Sequence, residues 1–109
     1  GYRIGPSEIE DCLAGHPAVA LAAVVGKPDP IRTEIVKAFV KLEAGVAPSP
    51  ELATSIRDHV RTRLSAHEYP REIDFVAEIP LTTTGKVIRR FFREQARDEA
   101  AAERRGERG

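Results

Sequence analysis

The chain has 109 residues, and its 17 lysines and arginines balance 17 aspartates and glutamates, for a formal charge of zero. That length suits one domain with a modest core, and the charge balance argues against a nucleic-acid partner or an anionic membrane surface. A single cysteine, Cys12, rules out an internal disulfide and fits a reducing compartment. No apolar run approaches the ~20 residues that span a bilayer, and no basic-then-apolar signal opens the chain. The start at Gly1-Tyr2-Arg3-Ile4-Gly5-Pro6, without a methionine, reads as a cut inside a longer cytoplasmic protein.

Ser7-Glu8-Ile9-Glu10 has the spacing of a capping box, in which the serine caps and Glu10 reaches back, so a short helix is expected from about Ser7 to Gly15. Ile9, Cys12 and Leu13 share its buried face, which makes Cys12 a core residue rather than a ligand. Val19 to Gly26 is a small-apolar run of strand length, broken by Lys27-Pro28-Asp29-Pro30. Glu34 to Glu43 is a second strand, paired with the first across a loop longer than a tight hairpin turn. Ser49 is an N-cap with Pro50 at the first helical position. Leu52, Ile56, Val60 and Leu64 then mark an amphipathic helix to about Ser65. Tyr69-Pro70 ends it, and Glu72 to Ala77 is a third strand. Further on, Ile88, Phe91, Phe92 and Gln95 are placed on one helical face, with residues 1–96 forming the domain. Residues 97–109 read as a charged tail, a solvated fraying helix or disorder. The order implies an α+β domain of two layers, with about three strands and flanking helices. His16, His59 and His67 lack metal-ligand spacing, and Arg71 reads as structural.

Between the third strand and the last helix lies Pro80-Leu81-Thr82-Thr83-Thr84-Gly85-Lys86-Val87-Ile88-Arg89-Arg90. Pro80 stops the strand, and three threonines followed by glycine make a mobile, hydroxyl-rich turn. Lys86 is therefore presented rather than packed, a point charge suited to a carboxylate or phosphate. A phosphate-binding P-loop is rejected. Its first glycine position is Pro80, and Val87 stands where a metal-binding hydroxyl belongs.

Four segments in order carry a family resemblance: the opening Gly1-Tyr2-Arg3-Ile4-Gly5-Pro6-Ser7-Glu8-Ile9-Glu10; His16-Pro17-Ala18-Val19 leading to Val24-Val25-Gly26-Lys27-Pro28-Asp29; Tyr69-Pro70-Arg71 with Phe75-Val76; and Pro80 through Arg90. Together, over about ninety residues, they resemble the small C-terminal domain of the acyl-adenylate-forming enzymes. These include acyl-CoA synthetases, firefly luciferase and peptide-synthetase adenylation domains. The medium-chain or aromatic acyl-CoA synthetase branch is the most similar. The resemblance implies a two-step ligase using ATP, Mg2+ and coenzyme A, whose large N-terminal domain holds acid and nucleotide while this small domain rotates to offer a different face for each step. It implies that Lys86 bridges carboxylate and phosphate during adenylation and that Arg3 lies near the nucleotide. Gly1 and Tyr2 would lie along the coenzyme A tunnel, where a Cβ at Gly1 would obstruct the pantetheine arm. Arg32, Arg61 and Tyr69 match positions that contact coenzyme A in relatives. Acylation of Lys86 by a lysine acyltransferase, reversed by a deacylase, would delete its charge.

Two positions depart from the pattern: relatives often carry lysine where this chain has Leu81, and glycine where it has Thr33. Thr33 would stiffen the loop carrying Arg32. Two other readings stand beside the ligase. One is the lid of an adenylating domain that loads a carrier protein, since a carrier shares the pantetheine arm. The other is a stand-alone binding module that docks a partner through the lysine loop.

Overall fold

The computed structural model describes residues 5–31, 33–64, 69–104 and 106. Three helices and three strands follow in the order α1 (Pro6–Ala14), β1 (Val19–Asp29), β2 (Thr33–Leu42), α2 (Pro50–Arg63), β3 (Glu72–Phe75) and α3 (Arg89–Arg104). The sheet order is β1-β2-β3. β1 and β2 are antiparallel, while β3 runs parallel to β2. A parallel neighbour needs a crossover, and α2 supplies it. The α+β class with three strands and flanking helices therefore holds.

The period-2 alternation of the strands divides the core between the two faces. Ala22, Val24, Ala38 and Val40 pack with Ile9 and Leu13 of α1 and Ile56 and Val60 of α2. Ala23, Val25 and Phe39 pack with Phe92 and Ala96 of α3 and with Ile79. Helices thus cover both faces, which refines the two-layer expectation by one layer.

Helix α1 starts earlier than the serine signature suggests. Gly5 is the N-cap and Pro6 the first helical residue, a position where proline loses no needed hydrogen bond. The Gly5 amide donates to Glu8 Oε1 at 2.9 Å, so Glu8 does the reaching back and Glu10 is free to turn toward the sheet. Helix α2 follows expectation: Leu52 N–H donates to Ser49 Oγ at 3.0 Å, and Ile56 and Val60 are buried, with Leu52 and Leu64 beside them.

Strand β1 continues through Pro28 to Asp29, and only residues 30–32 separate it from Thr33. The connection is a short hairpin rather than a long loop, and β1 is an edge strand, where proline is tolerated. Thr33, the residue that leaves this turn, has φ +69°, a left-handed conformation that glycine adopts more readily.

Helix α3 differs most from its expected form. Its buried stripe is Phe92, Ala96 and Ala100, whereas Phe91 is 55% exposed and Gln95 lies on the surface. The helix also continues to Arg104, into the segment expected as a fraying helix or disorder, and Ala100 within it is buried. Two alanines one and two turns after Phe92 make a stripe that is weakly apolar in sequence, yet their small size allows the helix to lie close to the sheet.

The histidines are structural where they are described. Ala18 N–H donates to His16 Nδ1 at 3.0 Å, so the proton of the neutral ring lies on Nε2, which donates to Ser55 Oγ at 3.0 Å. His59 Nε2 donates to the Cys12 carbonyl at 2.9 Å. Burial and the neighbouring His59 and Arg63 keep the His16 pKa below its ordinary value, and burial raises that of the Cys12 thiol. No group of three His, Cys, Asp or Glu side chains among the described residues could hold a metal ion, and His67 lies outside them. No helix among them is long and apolar enough to cross a membrane.

Candidate functional site

Lys86 stands on a hairpin, not on a loose turn. Leu81 and Val87 form an antiparallel bridge, and Ile88 N–H donates to the Pro80 carbonyl at 3.0 Å. Thr82 closes the tip. Its N–H donates to the Lys86 carbonyl at 2.7 Å, its carbonyl accepts from Gly85 N–H at 2.9 Å, and its Oγ1 accepts from Lys86 N–H at 3.1 Å. Thr82 Oγ1 also lies 3.0 Å from Thr84 Oγ1. Gly85 takes φ +86° with open space where a Cβ would project, so glycine is needed there for its backbone conformation and not for room. The threonines that suggested mobility instead supply the hydrogen bonds that hold the hairpin in one shape.

The tip residues 81–86 are all exposed, Lys86 among them. No carboxylate among the described residues lies within ion-pair distance of Lys86. Val87, the next residue, packs into the α3-side core, so the hairpin is rooted on that side of the sheet.

The other expected site residues are distributed differently. Arg61 lies on the exposed face of α2, where it pairs with Asp58 at 3.1 Å, the kind of surface pair that contributes little. Tyr69 packs partly into the core shared by α1 and α2, with the Arg71 guanidinium 5.5 Å above its ring. Arg61 and Tyr69 thus belong to the α1/α2 side, apart from the root of the Lys86 hairpin. Gly1, Tyr2, Arg3 and Arg32 lie outside the described residues.

Two charged clusters had no counterpart in the sequence reading. Lys27 and Lys37 are each only 2% exposed and lie on the α3 face of the sheet. Lys27 Nζ reaches Glu72 and Glu103 at 2.9 Å each. Lys37 Nζ reaches Asp74 at 2.9 Å and Glu72 at 3.4 Å, and also pairs with Glu99. Burial alone would lower both ammonium pKa values, but the hydrogen bonds that the ammonium groups donate to these carboxylates, together with the carboxylates' charge, outweigh it and hold both above the ordinary lysine value. The signal was present: Ile35, Lys37 and Phe39 alternate onto one face of β2, a cation in an apolar row. The second cluster joins Glu10 of α1 to Arg89, the first residue of α3, at 2.8 Å through both carboxylate oxygens. Glu10 is 9% exposed, and nothing local in the sequence pairs it with a residue 79 positions away.

Comparison with known proteins identifies the family of the chain. The family described as AMP-binding enzyme C-terminal domain matches residues 8–86. The chain is 50% identical over 93 residues to acetyl-coenzyme A synthetase of Bacillus subtilis, covering 85% of this chain and 16% of that protein. It is 48% identical over 97 residues to the mitochondrial acyl-coenzyme A synthetase ACSM4 of Rattus norvegicus, covering 87% of this chain and 17% of that one. The crystal structure of Brucella canis acyl-CoA synthetase superposes with a TM-score of 0.82 at 58% identity, covering 88% of this chain and 18% of that chain. The chain spans about a sixth of the length of the curated relatives it matches. With both its sequence and its fold matched over most of its length, it belongs to the AMP-binding enzyme C-terminal domain family.

Proposed function

We propose that this chain is the C-terminal domain of an ATP-dependent acyl-CoA ligase. In the first step a carboxylate attacks the α-phosphate of ATP, forming acyl-AMP and releasing pyrophosphate. In the second the thiolate of coenzyme A attacks the acyl carbon, forming acyl-CoA and releasing AMP. Magnesium arrives with the ATP, and the acid and nucleotide are held by a large N-terminal domain of the same protein.

The observation that carries this reading is Lys86, an exposed amine on a hydrogen-bonded hairpin within a domain of this family. A fixed backbone under a free ammonium suits stabilisation of charge that builds between carboxylate and phosphate. Arg61 and Tyr69 lie on the α1/α2 side and the hairpin is rooted on the α3 side, which supports one face for adenylation and another for the coenzyme. Arg61 gives up only a weak surface pair if it turns to a coenzyme phosphate. Gly1, Tyr2, Arg3 and Arg32 complete the proposal as nucleotide and coenzyme contacts. The matched relatives are coenzyme A synthetases, which favours free coenzyme A over a carrier protein as acyl acceptor.

The test uses the full-length enzyme. Lys86→Ala is expected to lower acyl-AMP formation, read as ATP–pyrophosphate exchange, by about 100- to 1,000-fold, while thioester formation from supplied acyl-AMP persists. Gly1→Leu should do the reverse. Equal loss of both half-reactions in Lys86→Ala would overturn the assignment. Acylation of Lys86 by a lysine acyltransferase would mimic the alanine variant by removing the charge; mass spectrometry of the native protein reads it directly.

A further inference from the structure

We infer that Arg89 is a positioning residue for Lys86 and that Glu10 is the group that holds it. The inference rests on the proposed role of Lys86 in adenylation.

All tip residues from 81 to 86 are exposed, so their side chains do not fix where the hairpin points. Its direction is set at the base. The entry strand is anchored by buried Ile79 and by the Pro80 carbonyl, which accepts from Ile88 N–H. The exit strand leads within three residues of Lys86 to Arg89. There the guanidinium meets Glu10 as fork on fork, Nε to Oε2 and Nη2 to Oε1, both at 2.8 Å, with Nη2 also donating to Ser7 Oγ at 3.0 Å. Glu10 Oε2 accepts in addition from Val24 N–H of β1 at 2.9 Å. One carboxylate thus fastens the start of α3 to both α1 and the edge strand.

The electrostatics explain why the carboxylate must come from elsewhere. α3 begins Arg89-Arg90 and has no acidic residue in its first turn, so two cations stand at the positive end of the helix dipole. Glu10 supplies the missing negative charge across the fold. The pair is largely withdrawn from solvent, with side chains 29% and 11% exposed, which strengthens a charge-assisted, bidentate contact.

This clamp is not what docks α3. Phe92, Ala96 and Ala100 bury its length, and Glu99 and Glu103 bind Lys27 and Lys37 toward its far end. The clamp fixes the helix's first residue and, through it, the strand that carries Lys86. A catalytic group displaced by about 1 Å can lose on the order of 100-fold in rate, so a loosened Arg89 should act on the step that uses Lys86 and spare the other.

The experiment compares Arg89→Lys and Glu10→Gln with Lys86→Ala in the full-length enzyme, measuring each half-reaction separately. Arg89→Lys keeps the charge but loses the fork, and Glu10→Gln keeps an acceptor for Val24 N–H. Both are expected to lower kcat of ATP–pyrophosphate exchange by about 10- to 100-fold with little change in KM for ATP. Thioester formation from supplied acyl-AMP should stay within about two-fold, and that retained step also reports an intact fold. Should Arg89→Lys not fold, Ser7→Ala removes one hydrogen bond and no charge, and is expected to give a loss of about three-fold in the same half-reaction only. Parental exchange rates in the folded variants, or equal losses in both half-reactions, overturn the inference while Lys86→Ala still abolishes exchange. Persistence of exchange in Lys86→Ala would overturn the reading of Lys86 itself, and this inference with it.

Discussion

The ring of Phe92 stacks on that of Phe39, with centroids 4.5 Å apart and planes inclined by 27°. This contact joins α3 to the central strand of the sheet. Phe91, the adjacent residue, meets Phe92 edge-on at 5.1 Å but faces solvent. Phe92→Ala should therefore cost about 3–5 kcal/mol of folding stability, whereas Phe91→Ala should lie within about 0.5 kcal/mol of the parent. Urea denaturation of the isolated domain measures both, and similar losses for the two would contradict the observed helix rotation.

Thr33 carries a positive φ in a residue branched at Cβ. Left-handed conformations of non-glycine residues cost about 1–3 kcal/mol, and glycine gives back part of that gain through its freer unfolded chain. Thr33→Gly is expected to raise stability by about 0.5–1 kcal/mol. A lower thermal midpoint in Thr33→Gly would show that the threonine is not strained.

The buried lysines link stability to pH at its alkaline end. Their pKa values in the fold are raised, so their contribution is complete below the unfolded lysine value of ~10.4 and disappears as pH rises through the higher folded values. The parent should thus hold its stability at about pH 10 and lose it steeply above. Lys37→Met leaves Glu99 and Asp74 without a shared cation. It should cost about 1–3 kcal/mol, less than a fully buried pair because the carboxylates remain partly solvated. Adding Glu99→Leu should recover part of the loss. Denaturation at pH 7 and at stepped alkaline pH checks both statements, and a Lys37→Met variant as stable as the parent would reject them.

Local signals were sufficient where a single residue dictates its own neighbourhood. Ser49 and Pro50 announce the start of α2, the four-residue spacing of Leu52, Ile56 and Val60 defines its buried face, and Gly85 before Lys86 marks an exposed turn. Competition between signals produced the errors. At the start of α1 the Ser7 capping signature sets the expected start, whereas Pro6, whose preset φ suits the first helical position, begins the helix. In α3 the large Phe91 outweighed Ala96 and Ala100 in the reading of the periodicity, yet the alanines permit close approach to the sheet.

By itself the sequence determined the class of the fold, its helices and strands to within a few residues except for the C-terminal extent of α3, and the presentation of Lys86, because caps, turns and periodicity act within one or two turns of chain. Only the tertiary structure decided that helices cover both faces of the sheet. It also decided that Lys27 and Lys37 are buried among carboxylates of β3 and α3, and that Glu10 holds Arg89. These ion pairs join charges from 35 positions apart, as in Lys37 and Glu72, to 79 positions apart, as in Glu10 and Arg89; the apolar row of β2 marks Lys37 as buried, but nothing local in the sequence identifies the carboxylate it meets.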